Sequence, residues 1–191
     1  MKILVTGANG RVGSKVVEQL LARGVQLRAL VRDRIKANFP PMVEVVEGDF
    51  LEPDSLRPAL AGITSVFLLN AVAGDEVTQA LNVLNLIQEA GVRRLVYLSV
   101  MHSDRYVNVP HFAGKFAVER MIEQMGISAT ILHPAYFMEN DVRIQQVVSD
   151  FGVYPMPIGD IGIAMIDVGD LAAVAAEELV RRSQGPETLP L

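Results

Sequence analysis

The sequence predicts a doubly wound α/β fold, a parallel sheet with helices on both faces. Short, almost wholly apolar runs alternate along the chain with longer stretches of helical periodicity. Gly or Pro punctuates nearly every junction, and a glycine-rich turn joins the first run to the first helix. An alternation of this kind builds parallel crossover units rather than a bundle or a sandwich.

Lys2 to Thr6 reads as a buried strand running into glycines. Val12, Val16, Val17, Leu20 and Leu21 follow at helical spacing, with Gly24 as the stop. Gln26 to Val31 is a second strand, and Val43 to Glu47 a third beyond Pro40-Pro41. Pro53-Asp54-Ser55 opens a short helix that closes near Gly62. Ser65 to Leu69 is the fourth strand, followed by a long helix over Glu76 to Ala90 that ends at Gly91. Arg94 to Ser99 is the fifth strand, and His111 to Met125 a helix ended by Gly126. Ser128 to His133 is the sixth strand, halted at Pro134. The segment from Asp150 to Asp167 is rich in Gly and Pro and is expected as loops and short strands beside the main sheet. An Ala-rich helix over Val168 to Arg182 closes the pattern.

Composition narrows the function classes. The chain has 191 residues, 50% of them apolar and 20% charged, as expected of one globular domain spanning 1–191. Its net charge of −5 gives no basic surface for nucleic acid or anionic membrane. The lack of cysteine excludes disulfides, thiolate zinc sites and thiol nucleophiles, so any redox chemistry rests on a bound cofactor. No apolar stretch approaches the ~20 residues of a membrane helix. The fold begins at Lys2 with no room for a leader, and the cytoplasm is the expected compartment. His102, His111 and His133 lack a metal-ligand spacing, so no metal site is expected.

Thr6-Gly7-Ala8-Asn9-Gly10-Arg11-Val12-Gly13 lies between the first strand and the first helix, where a dinucleotide's pyrophosphate would sit. Gly7 permits the tight turn, Gly10 the approach of backbone to phosphate, and Gly13 the packing of helix on strand. Gly7, Asn9, Gly10, Arg11, Val12 and Gly13 are therefore the candidate pyrophosphate contacts. An NAD site usually places a carboxylate about 20 residues on, at the ribose 2′-hydroxyl. Arg32 stands at that place and suits a 2′-phosphate instead, with Arg11 and Arg34 adding charge. NADP(H) is the favoured cofactor; Asp33 beside Arg32 keeps NAD(H) open. Asp49 and Phe50 follow the third strand, where adenine would lie, although Asp49 also fits a turn or cap. Leu69 and Asn70 would line the cofactor after the fourth strand.

The GxxGxxG spacing resembles that of the short-chain dehydrogenase/reductase superfamily, particularly its extended and atypical members. In that superfamily a Ser, a Tyr and a Lys four residues after the Tyr carry the chemistry. Ser99 and Lys115 occupy corresponding places here, but His111 stands where the Tyr would be. Together with Arg28-Ala-Leu-Val-Arg-Asp33, Gly48-Asp-Phe50, Thr130-Ile-Leu-His-Pro-Ala-Tyr-Phe-Met-Glu-Asn140 and Ile166-Asp-Val-Gly-Asp170, this resembles the NmrA-like branch of the atypical members over nearly the whole chain. The resemblance implies cofactor contacts from the glycine loop, Arg32, Asp49, Lys115 and the turn after Pro134. Such families usually carry Arg where this chain has His133.

As candidates for chemistry, Lys115 would bind the nicotinamide ribose, or form a surface pair with Glu119. His111 is either a proton donor or a solvated residue of the first helical turn. Tyr136 is a donor or, in the plainer reading, a pocket wall.

The resemblance implies two kinds of protein. One is an NADP(H)-dependent oxidoreductase that passes hydride to an electron-poor small molecule such as a quinone. The other is a non-catalytic NAD(P)-sensing regulator with a redox-dependent protein partner. A sugar-nucleotide epimerase ranks last for want of the Tyr, and a homodimer is compatible with the sequence. Family members continue beyond Asp170 into a smaller substrate-covering region; this sequence stops at Leu191, as a truncated or a naturally short member would.

Overall fold

A computed structural model describes residues 1–181 and 187–190. The apolar runs become strands β1 (Lys2–Val5), β2 (Gln26–Val31), β3 (Val43–Glu47), β4 (Ser65–Leu68), β5 (Arg94–Leu98) and β6 (Ala129–His133). The periodic stretches become helices α1 (Arg11–Ala22), α2 (Pro53–Leu60), α3 (Glu76–Glu89) and α4 (Pro110–Gln124). Short strands β7 (Tyr136–Phe137) and β8 (Met165–Ile166) pair with each other as a separate ribbon, and α5 (Gln145–Phe151) lies between them. Strand β8 falls in the segment expected as loops and short strands, whereas β7 and most of α5 precede that segment and had no predicted counterpart. The last helix is α6 (Val168–Val180); its expected end at Arg182 lies outside the described residues.

A further strand, β9 (Glu187–Pro190), was not predicted. It lies parallel to β6 and extends the main sheet to the order β3-β2-β1-β4-β5-β6-β9. An edge strand needs no apolar run on both faces and tolerates Pro, so Glu187-Thr-Leu-Pro190 carries no strand signal of its own. The strand order reverses between β1 and β4. Crossovers leave in opposite directions there, opening a crevice beyond the carboxyl ends of these two strands.

Strands β1, β2, β4, β5 and β6 bury both faces along most of their length, which explains their apolar character. Ile3 and Val5 pack beneath α1 and α6, while Leu4 between them joins the core under α2, α3 and α4. The alanines of α6 let that helix lie close against α1, where Ala172, Ala175 and Ala176 meet Val12, Val16 and Leu20. The N-terminus of α6 is fixed twice. The Asp167 side chain accepts from the amides of Gly169 and Asp170, and Glu139 Oε1 accepts from Val168 N at 2.8 Å. No helix among the described residues is long and apolar enough to cross a membrane.

An ion pair locks α6 to the sheet from below. Arg94 on β5 donates to the Glu178 carboxylate at 2.6 Å, to the Glu178 carbonyl at 3.0 Å, and to Thr130 Oγ1 on β6. Arg94 and Glu178 are both buried, so removing one partner leaves the other charge without compensation. Glu178→Ala is expected to cost about 3–5 kcal/mol of stability. Chemical denaturation monitored by circular dichroism measures it; a cost below 1 kcal/mol would contradict the role given to this pair.

Candidate functional site

The carboxyl ends of the strands gather the predicted residues along one edge of the sheet. At the end of β1, Gly7 holds a left-handed backbone (φ +59°), and the amide of Gly10 closes the turn onto the Gly7 carbonyl at 2.8 Å. A side chain at Gly13 would start 2.6 Å from the Gly7 carbonyl carbon and 2.9 Å from Ala8 Cα, so only glycine brings α1 this near the loop. Gly10 caps α1 without a side chain, and the first turn carries no carboxylate. The N-terminal amides and dipole of α1 thus meet the crevice without a protein anion, the condition a diphosphate requires. Asn9 is exposed beside them, whereas Val12 turns its side chain into the core and has only its backbone to offer. Arg11 donates to Asn140 Oδ1 at 3.0 Å and so ties the loop to the segment after β7.

Thr6, which the glycine pattern did not single out, braces this crevice. Its hydroxyl accepts from Leu69 N at 2.8 Å and lies 2.9 Å from Leu69 O, holding the diverging ends of β1 and β4 together. Leu69 in turn packs on Gly7.

At the end of β2, Arg32 is exposed and makes no ion pair among the described residues. Asp33, the residue that kept NAD(H) open, is engaged locally. Its carboxylate accepts from Ile35 N at 2.9 Å and pairs with Lys36 at 3.2 Å, capping a short 3₁₀ turn over Arg34–Lys36. Asp49 also serves its own turn, one oxygen accepting from Leu51 N. Phe50 packs partly into the core beside α2 and α3.

The next two strands hold a cluster that the sequence did not reveal. Lys115, on α4, is buried rather than paired at the surface with Glu119. Its ammonium donates to Leu98 O at 3.0 Å, contacts Asn70 Oδ1 at 3.4 Å and lies 2.9 Å from Glu76 Oε1, with the Tyr97 ring 5.0 Å away. Burial draws the Lys115 pKa below the ordinary lysine value, against the pull of Glu76. Asn70 is buried as well and donates to Glu76 O, so it braces this cluster instead of lining an open wall. His111, partly exposed in the first turn of α4, is tied inward at one nitrogen, its Nδ1 lying 2.9 Å from Glu76 Oε2. One buried carboxylate therefore joins the two α4 side chains.

A second carboxylate organises the ends of β5 and β6. Glu119, buried on α4, accepts from the hydroxyls of Ser99 and Ser103 and from His133 Nε2, the last two at 2.9 Å. Ser99 is thus committed to a buried network. Burial pushes the Glu119 carboxyl up, but hydrogen bonds from His133, Ser99 and Ser103 outweigh it and hold the group below its usual 4.5. Pro134, also buried, accepts at its carbonyl from Met101 N. Tyr136 donates to Asp141 Oδ1 at 3.0 Å, and Tyr154 donates to the other oxygen of the same carboxylate at 2.8 Å. Burial and then Asp141 raise the Tyr136 pKa, and Asp141 first pushes Tyr154 up to about 12, so both phenols hold their protons at neutral pH. No group of three or more His, Asp or Glu among the described residues is placed to hold a metal ion.

The profile of the NmrA-like family matches residues 1–187. The chain belongs to this family. It is 30% identical over 193 residues to the NAD(P)H azoreductase of Xenophilus azovorans, covering 99% of this chain and 67% of that protein. The triphenylmethane reductase of Citrobacter sp., solved with NADP(H), superposes with a TM-score of 0.89 at 26% identity over all of this chain and 70% of the other. The NADPH-dependent quinone oxidoreductase QOR2 of Escherichia coli, solved with NADPH, gives 0.89 at 28% identity over 99% and 68%. This NmrA-like chain thus spans about two thirds of the length of each.

Two measurements probe the edge just described. Gly13→Ala forces α1 away from the loop backbone and is expected to lower stability by about 1–3 kcal/mol, read as a fall in Tm. An unchanged Tm would show that the helix has room to shift. The second concerns Glu119. A carboxyl whose folded pKa is depressed contributes stability above its unfolded value and loses it as pH falls through the folded one. Wild-type stability should therefore decline below about pH 4.5, and Glu119→Gln should flatten that part of the profile. Urea titrations across acidic pH measure the difference, and parallel profiles would count against the assignment.

Proposed function

We propose that this chain binds NADP(H) at the β1–α1 edge and serves reduction of an electron-poor small molecule such as a quinone or a cationic dye. The observation that carries the nucleotide choice is the division of labour between Arg32 and Asp33. Arg32 is uncommitted among the described residues, while Asp33 is engaged by Ile35 N and Lys36, leaving a cation rather than a carboxylate for the ribose corner. The glycine cradle fits the rest of the group, since Gly10 caps α1 without a side chain and the first turn of that helix carries no carboxylate to compete with a diphosphate. Gly7, Gly10 and the first turn of α1 would hold the diphosphate, with Arg32 at the 2′-phosphate. When bound, NADPH supplies hydride.

The chain's own part is positioning. Thr6 and Leu69 set the width of the crevice, and Lys115 with Asn70 and Glu76 fixes the ends of β4 and β5 against α3 and α4. Proximity supplies most of the rate for an acceptor already short of electrons. The names of the azoreductase, the quinone oxidoreductase and the triphenylmethane reductase support this substrate class. A second reading, a dinucleotide-sensing regulator with a protein partner, draws on the commitment of Ser99 and Lys115 to buried partners. Turnover with any quinone or dye decides against it.

The test is a titration of NADPH and NADH into the wild type and Arg32→Ala. The wild type should prefer NADPH, and the variant should lose about tenfold in NADPH affinity while NADH binding stays level. Equal affinity for both nucleotides in the wild type would overturn the choice of NADP(H). NADPH oxidation over a panel of quinones and triphenylmethane dyes then tests the reductase activity itself.

A further inference from the structure

We propose that Glu76 and His111 form a proton-delivery pair for acceptors that must be protonated as they are reduced, with Glu76 as the positioning residue and His111 as the donor. This rests on the reductase reading above. His111 lies one turn before Lys115 on α4, and its Nδ1 is 2.9 Å from Glu76 Oε2. The opposite oxygen of that carboxylate is 2.9 Å from the Lys115 ammonium. Glu76 is buried and opens α3, the helix end that suits a carboxylate. One oxygen thus faces the Lys115 ammonium while the other is aimed at the imidazole. The His111 side chain is 28% exposed, its ring stands edge-on to Phe112, and Nε2 makes no hydrogen bond among the described residues.

These contacts fix the working atom. A carboxylate accepts only, so Nδ1 keeps its proton on Glu76 and Nε2 becomes the nitrogen that gains and loses one. A carboxylate partner orients the imidazole in this way in the Ser-His-Asp triad. Reduction of a quinone to a hydroquinone takes up hydride, which is two electrons and one proton, and a second proton at oxygen. The imidazolium form of His111 gives that second proton from Nε2 and returns to the neutral ring with Nδ1–H still on Glu76. Water reprotonates Nε2 through the exposed side of the ring. A triphenylmethane cation, by contrast, is neutralised by hydride at carbon and takes up no second proton. The pair therefore divides acceptors by chemistry: it serves quinones, and azo compounds whose nitrogens gain protons, more than carbocationic dyes.

The experiment compares the wild type, His111→Gln and Glu76→Gln with a benzoquinone and a triphenylmethane dye under saturating NADPH. His111→Gln should lower the ratio of quinone to dye turnover by about 10²-fold, the scale of a positioned general acid. Glu76→Gln should lower the same ratio. A readout independent of turnover accompanies these rates. In ¹⁵N NMR of the wild type without nucleotide, the neutral His111 ring should carry its proton on Nδ1, and Glu76→Gln should abolish that preference. An unchanged quinone-to-dye ratio in His111→Gln overturns the proposal, as does a wild-type ring protonated on Nε2. His111→Gln leaves the Glu76–Lys115 contact in place, so the test holds even where Glu76→Gln does not fold. If the wild type reduces neither acceptor, the reductase reading falls, and the His111 tautomer still decides whether Glu76 positions the ring.

Discussion

How near α1 can come to the loop after β1 determines what the carboxyl edge can hold. At Gly13 the helix rests directly on the backbone of Gly7 and Ala8 with no room for a methyl group. That approach turns the helix N-terminus toward the crevice between β1 and β4 and leaves its amides for an anion. It also places Val12 and Val16 where the alanines of α6 can close over them. Thr6 completes the arrangement from the strand side, binding the ends of β1 and β4 across the point where the strand order reverses. Loop, crevice and helix pair thus follow from one steric condition.

Across the crevice, order is kept by charge rather than by small residues. Glu76 and Glu119 are both buried, and each acts as the hub for more than one side chain. Glu76 gathers His111 and Lys115, with Asn70 donating to its backbone; Glu119 gathers Ser99, Ser103 and His133. Burying such groups is costly unless their partners are well placed, and both hubs meet that demand with several contacts each. The arrangement ties α4 to the ends of β4, β5 and β6 more specifically than apolar packing alone would, because each contact demands one orientation.

Much of the framework was legible from the sequence because its signals are local. The apolar runs, the stopping glycines and the Gly7–Gly13 spacing each announce themselves within a few residues. The hubs do not. Glu76 lies 35 residues before His111, and as the first residue of a helix it reads as an ordinary N-terminal acid. Lys115 and Glu119 stand four apart, which suggests a surface pair; their helix instead turns both inward, to different partners. The shared carboxylate of Asp141, taken by Tyr136 and Tyr154, was hidden because Tyr154 lies 13 residues beyond it, across α5. β9 was missed for a different reason. An edge strand is defined by its neighbour's unpaired backbone rather than by its own side chains.

The opposite margin of the sheet has a consequence of its own. Among the described residues β3 has β2 on one side only, and an outer backbone of this kind can recruit a strand from another molecule. Two exposed carboxylates, Glu44 and Glu47, sit on this short strand, and Glu44 is held in place by Arg28 and Lys2. A second chain laid against β3 would have to bring its own side chains up to that acidic border and strip water from it. The border thus discourages edge-to-edge growth of sheets from this margin.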